Sequence, residues 1–203
     1  IDDKVLRRQG FKNNLFKYNG FKEDLYLADY QPDQSFLNTL PFKEYVVLRP
    51  ENIQANYADG SAISIVPQLL QMFKELKRNV LFLPRYQQDK MLAGGSDNVF
   101  IPETAVNGLD ACYFSDAVFT GAGTMAREAA CLGIPAFSFY TGKELLTVDL
   151  KMIEMGWLYF SRNPQELIRK FSSAPKRNPD LKRSDMVKQQ ILSKLDDFLL
   201  TNK

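Results

Sequence analysis

The sequence predicts an α/β chain wound on a single parallel sheet of about six strands, and three observations carry that expectation. Short β-branched or aromatic runs recur from residue 43 onward, they are apolar almost throughout instead of alternating, and longer amphipathic segments separate them. Strands without a polar face are strands covered on both faces, which is the condition of a parallel sheet with helices above and below. Six such units in about 130 residues make one doubly wound, Rossmann-like domain.

Taken in order, residues 1–42 show no strand alternation. Within them YNGFKEDLYLADYQPD holds one amphipathic, helix-like stretch, Glu23–Tyr30, between Gly20 and Pro32. Strands are expected at Glu44–Leu48, Asn79–Leu83, Asn98–Ile101, Ala117–Thr120, Pro135–Tyr140 and Trp157–Phe160. The helices between and after them are Ile63–Lys77, Gln87–Leu92, Leu109–Tyr113, Met125–Leu132, Leu146–Glu154 and Pro164–Phe171. Beyond Phe171, SSAPKRNPDLKRSD reads as a polar connector, and a last helix from about Asp185 to Leu200 sets Val187, Ile191, Leu195 and Leu199 in one stripe. An apolar stripe has to dock, either on this domain or on one outside this sequence. The expected division is 1–42, 43–172 and 173–203.

Composition narrows the chemistry. A formal net charge of +2 makes no electrostatic case for nucleic acid or a membrane surface. No apolar run approaches the ~20 residues of a membrane span, and no signal-peptide pattern opens the sequence. It starts at Ile1 instead of Met, as a segment of a longer chain would. Two cysteines, Cys112 and Cys131, make neither a disulfide framework nor a metal site; Cys131, among alanines and Leu132, reads as a small buried thiol. A reducing, cytoplasmic compartment fits. The absence of histidine removes Ser-His-Asp and Cys-His chemistry and any histidine base from this chain, and takes away the common nitrogen ligand of zinc. No metal and no cofactor is expected.

In a doubly wound sheet the ligand lies beyond the carboxyl ends of the strands. Those ends carry Arg49-Pro50-Glu51-Asn52 with Asn56 and Tyr57, then Arg85-Tyr86, Pro102-Glu103, Thr120-Gly121-Ala122-Gly123-Thr124 and Thr141-Gly142-Lys143-Glu144. Two arginines, a lysine and a glycine loop at a helix start suit a diphosphate, which gives Arg49, Arg85, Lys143, Gly121, Ala122, Gly123 and Thr124 as candidates. Gly121 and Gly123 permit positive φ and let backbone N–H groups come close to an anion. Thr124 is expected as the N-cap, its hydroxyl also within reach of phosphate. Glu128 stands about one turn on, where it either accepts hydrogen bonds from ribose hydroxyls or is simply a surface acid favoured by the helix dipole.

Gly121-Ala-Gly123-Thr-Met-Ala126 also spells the dinucleotide fingerprint G-x-G-x-x-A. That fingerprint belongs after a first strand, not a fourth, and its distal acid would have to be Glu144 or Asp149, neither of which directly ends PAFSFY. A nicotinamide dinucleotide site is therefore the minor reading.

A second pattern runs through Asp116, Thr120-Gly121-Ala122-Gly123-Thr124, Glu128-Ala129 and Gly133-Ile134-Pro135. It resembles the carboxyl-terminal, donor-binding domain of GT-B glycosyltransferases and of non-hydrolysing UDP-N-acetylglucosamine 2-epimerases. Together with YNGFKEDLYL, the strand ending in LRPE, LPRYQQ and GAGTMAREAACLGIPAF, the chain resembles the DUF354 family of GT-B-like proteins from about Tyr18 to Phe171. The resemblance implies the C-terminal half of a GT-B fold and a nucleotide-sugar ligand, most simply a UDP-sugar. It implies that the glycine loop holds the diphosphate, that Glu128 binds ribose, and that Ile101 and Pro102 meet the base through their backbone. It further implies that Tyr18–Tyr30 is an interdomain connection and that the last helix crosses to an amino-terminal domain absent from this sequence. The parent would transfer a sugar without a metal, with its catalytic base in that other domain, so this chain alone would not turn over.

The epimerases carry H-R-R-E-N where this chain has Leu48-Arg49-Pro50-Glu51-Asn52, and their T-E-R-P-E segment is only faintly echoed in Thr141-Gly142-Lys143-Glu144. Both departures speak against an epimerase mechanism built on that histidine. An epimerase-like domain and a non-catalytic assembly or regulatory module that keeps the cleft are the alternatives.

Overall fold

The structure, a computed structural model, describes residues 16–53 and 63–201. In chain order its α-helices are α1 (Asp24–Leu27), α2 (Val66–Glu75), α3 (Gly108–Tyr113), α4 (Gly123–Cys131), α5 (Thr147–Glu154), α6 (Pro164–Phe171) and α7 (Leu181–Thr201). The strands are β1 (Val46–Arg49), β2 (Val80–Phe82), β3 (Val99–Phe100), β4 (Ala117–Thr120), β5 (Ala136–Ser138) and β6 (Leu158–Phe160). Two compact units result, one from Pro32–Pro179 and one from the described residues up to Gln31 together with those from Asp180 on.

In the Pro32–Pro179 unit the six strands form one all-parallel sheet in the order β3-β2-β1-β4-β5-β6. The order reverses between β1 and β4, and that reversal is where a doubly wound sheet opens a ligand crevice. Register sets Arg49 beside Thr120 at the carboxyl ends of the two central strands. Alternate strand residues serve opposite layers. On one face Val46, Leu48, Val80, Phe82, Phe119 and Phe137 pack with Leu69 and Phe73 of α2 and Leu167 of α6. Phe119 stacks on Phe137 at 4.5 Å between centroids, and Phe73 meets Phe119 edge-on at 4.9 Å. The α4 layer is thin: Ala126, Ala129 and Ala130 are all buried, and their small side chains bring this helix close to the sheet.

Helix ends follow local chemistry. Asn107 caps α3 and Asn163 caps α6, each side chain accepting two first-turn N–H groups. Gly133 stops α4 with φ +79, a conformation that favours glycine, and its missing Cβ leaves room for the Arg177 carbonyl.

The other unit is built on α1 and α7. Asp24 is fully buried and accepts from the Phe21 N–H at 2.8 Å, Arg183 Nη2 at 2.7 Å and Ser184 Oγ at 2.8 Å. No helix among the described residues is long and apolar enough to cross a membrane.

Several elements differ from expectation. The Glu23–Tyr30 helix shrinks to the single turn of α1, and the Gln87–Leu92 segment forms a 3-10 helix, Gln87–Ala93. A second 3-10 helix, Gln34–Thr39, lies where no element was assigned, with Asp33 accepting from the Ser35 N–H. Helix α7 begins at Leu181, four residues before the expected Asp185, and α4 begins at Gly123, not Met125.

Candidate functional site

The crevice between the ends of β1 and β4 is closed at its floor by direct contact. The Gly121 N–H donates to the Arg49 carbonyl at 3.0 Å. A Cβ on Gly121 would overlap Glu51 Cα and stand 2.7 Å from the Glu51 backbone nitrogen, so only glycine lets the two loops touch here. The Ala122 N–H is also occupied, by Thr120 Oγ1 at 2.8 Å. Glu51 itself is buried and takes hydrogen bonds from Arg162 Nη1 at 2.7 Å, Ser64 Oγ at 2.7 Å and the Ile65 N–H at 3.1 Å. Arg162 also donates to the Phe139 and Ile63 carbonyls. This side of the crevice is structural.

The structure sharpens one reading of the loop and corrects another. Neither Gly121 nor Gly123 uses positive φ; Gly121 is required by close packing, and at Gly123 a Cβ would stand 2.9 Å from Arg127 Nη1, the atom that bonds Asp149. Thr124 is not the N-cap. Ala122 holds that place in extended conformation, with no side-chain cap bond, and Thr124 falls in the first turn of α4. The N–H groups that a helix leaves without internal acceptors are thus those of Gly123, Thr124 and Met125. They, not the loop before them, form the surface that could receive an anion, to which the helix dipole adds roughly half a positive charge.

Charged side chains gather round that turn. Arg49 is half-buried, and its Nε is enclosed without a hydrogen-bond partner. Burial first, and then the neighbouring Arg85 guanidinium, lower its pKa, while Glu128 opposes both. Two guanidiniums that repel one another beside a half-buried carboxylate are suited to an anion placed among them. Arg85 is anchored at its base, with Nε donating to the Pro50 carbonyl at 3.0 Å and its N–H to Asp89 Oδ2 at 2.8 Å. Glu128 is half-buried on α4; its charge also acts on the buried Cys112, whose thiol burial keeps protonated far above the ordinary range. Arg49, Arg85 and Glu128 therefore share one electrostatic neighbourhood.

Among the described residues no hydrogen bond or ion pair joins the remaining candidates to it. Lys143 is exposed in the loop after β5, and no hydrogen bond or ion pair among the described residues ties it to the arginines. In the same loop the Thr141 hydroxyl is buried without a hydrogen-bond partner. Ile101 and Pro102 follow β3, half-buried, and Pro102 walls a cleft of about 540 Å³ shared with Phe36, Phe100, Glu103 and Asp110. Asn56 and Tyr57 lie outside the described residues.

A buried pair was not anticipated. Arg127 Nη1 meets Asp149 Oδ1 at 3.0 Å, with both side chains 7% exposed, and Arg127 Nη2 faces Thr124 Oγ1 at 3.4 Å. Sequence offered one signal, an arginine that stands with Glu128 inside the otherwise small and apolar run Met125–Leu132. Asp149 is thereby committed to an arginine on a helix, which removes one of the two candidates for the single distal acid of a dinucleotide site.

Residues 1–198 match the family model described as "Protein of unknown function (DUF354)". The chain belongs to the DUF354 family. The uncharacterized protein MJ0665 of Methanocaldococcus jannaschii is 32% identical over 124 residues, which are 61% of this chain and 35% of that protein. Among solved structures, UDP-GlcNAc 2-epimerase of M. jannaschii is similar with a TM-score of 0.63 at 16% identity, over 94% of this chain and 59% of that one. The enzyme from Neisseria meningitidis is similar with a TM-score of 0.53 at 14% identity, over 79% of this chain and 48% of that one. At such identity the likeness is one of fold: this DUF354 chain has the Rossmann-like architecture of one half of a GT-B protein. It spans about three-fifths or less of each protein it matches.

Proposed function

We propose that this DUF354 chain is the nucleotide-sugar-binding half of a GT-B glycosyltransferase-like protein and that its ligand is a UDP-sugar. The observation that carries the reading is the first turn of α4 without a side-chain cap, at the sheet's switch point, with Arg49, Arg85 and Glu128 around it. The three first-turn N–H groups and the two arginines hold the diphosphate, Glu128 accepts from the ribose hydroxyls, and the backbone at Ile101 and Pro102 meets the base. Support comes from fold likeness to the M. jannaschii epimerase, which has been determined in complex with UDP-GlcNAc and UDP.

In the whole protein an acceptor oxygen attacks the anomeric carbon, the bond to the diphosphate oxygen breaks, and the helix dipole and cations stabilise the charge left on UDP. Residues 1–42 and 173–203 connect the binding domain, 43–172, to an amino-terminal half that supplies the base. Lys143, exposed in its loop, reaches the ligand only if that loop folds inward.

Calorimetric titration of the chain with UDP, UDP-GlcNAc and NAD tests this. UDP and its sugar should bind, and Glu128→Ala and Arg49→Ala should each weaken them by about tenfold, the scale of one hydrogen bond to a charged group. NAD binding without UDP binding would overturn the reading. Failure to bind any nucleotide would leave the non-catalytic module.

A further inference from the structure

We propose that Arg127 is a positioning residue for the phosphate at α4, acting through the Thr124 hydroxyl. The proposal rests on the nucleotide-sugar reading above. Arg127 is a full charge enclosed in a helix face otherwise made of Met125, Ala126, Ala129 and Ala130. Burying it is costly unless a counter-charge is present, and Asp149 supplies one from the first turn of α5, where the helix dipole favours an acid. Such a pair generally adds little stability over apolar side chains of the same volume. Stability therefore does not explain why an ion pair stands here.

Its placement does. Nη1 lies beside Gly123, the first residue of α4, and Nη2 points at Thr124 Oγ1. A guanidinium has only donors, so the hydroxyl facing it must present its oxygen to the arginine and turn its proton away. Thr124 is exposed, in the same turn whose N–H groups have no helical acceptor. Arg127 thus makes Thr124 a donor directed out of the helix end, beside the N–H groups that face the anion. Asp149 neutralises the charge, so that Arg127 orients a donor without adding a third unpaired cation to Arg49 and Arg85.

The test compares UDP, titrated by calorimetry, with uridine, followed by ligand-observed NMR, on the same chain. Arg127→Met should weaken UDP by about tenfold while uridine binding stays unchanged. Thr124→Val should do the same, and the double variant should be no worse than either single one, because both remove one interaction. Arg127→Lys, which keeps the charge and donors, should recover part of the loss. Arg127→Met leaves Asp149 buried without its partner, so Arg127→Met/Asp149→Leu is measured beside it and should show the same selective loss of UDP. Unchanged UDP affinity, equal loss of UDP and uridine, or additive single effects would each overturn the role of Arg127. If the unaltered chain binds no UDP, the site reading fails and this proposal with it; if it binds UDP regardless of Arg127, this proposal fails alone.

Discussion

Gly121 and Gly123 stand two residues apart in one loop, yet they belong to regions of opposite character. Around Gly121 the polar groups are engaged across the joint: its N–H meets the Arg49 carbonyl, the next N–H meets the Thr120 hydroxyl, and Glu51 is held by Arg162, Ser64 and Ile65. Around Gly123 the helix starts without a side-chain cap, Thr124 is exposed, and Arg49 Nε is buried without a partner. The first region uses its polar groups to join β1 to β4, whereas the second opens a helix start toward the surface. The two glutamates differ as well: Glu51 is buried and accepts from three donors, and Glu128 is half-buried with its charge acting on Arg49. The loop is thus a packed joint at Gly121 and an open helix start at Gly123, and its glycines are not interchangeable.

Substitutions on the two sides should separate accordingly. The largest effect is expected for Glu51→Ala, which strands Arg162 and opens the joint; a loss of about 4 kcal/mol in urea unfolding is anticipated. A loss below about 1 kcal/mol would show that the joint is not structural. Gly121→Ala should follow, costing about 3 kcal/mol because its Cβ overlaps backbone, which cannot rotate away as a side chain does. Gly123→Ala should cost less, about 1 kcal/mol, since its Cβ presses on the side-chain atom Arg127 Nη1, held by Asp149, and not on backbone, and alanine is the better helix former. Comparable melting shifts for the two glycine variants would erase the distinction between packed joint and open helix start.

Much of the fold was legible because it depends on near-neighbour patterns. Continuous apolar runs such as Val46–Leu48 and Ala117–Phe119 announce strands covered on both faces, and the helices between them follow from amphipathic spacing. Short or irregular elements were less legible. The 3-10 helix Gln34–Thr39 rests on an Asp33–Ser35 contact and on Phe36 stacking against the distant Phe114, and a single turn such as α1 is held mainly by residues of α7. Within the candidate site, the grouping of Arg49, Arg85 and Glu128 was legible from their places after strands and on the following helix. The reason for each glycine was not, because it depends on what approaches from another strand.

The sequence by itself determined that the chain is a doubly wound parallel α/β fold, that G121-A-G123-T-M-A-R-E lies at a strand-to-helix junction, and that histidine chemistry is absent. Those are properties of local pattern and composition. Only the tertiary structure decided that α4 begins at Gly123, that Gly121 presses on Glu51, and that Arg127 is tied to Asp149 twenty-two residues away. Each of these depends on groups that the sheet order brings together across the crevice, and no local pattern encodes a separation in space.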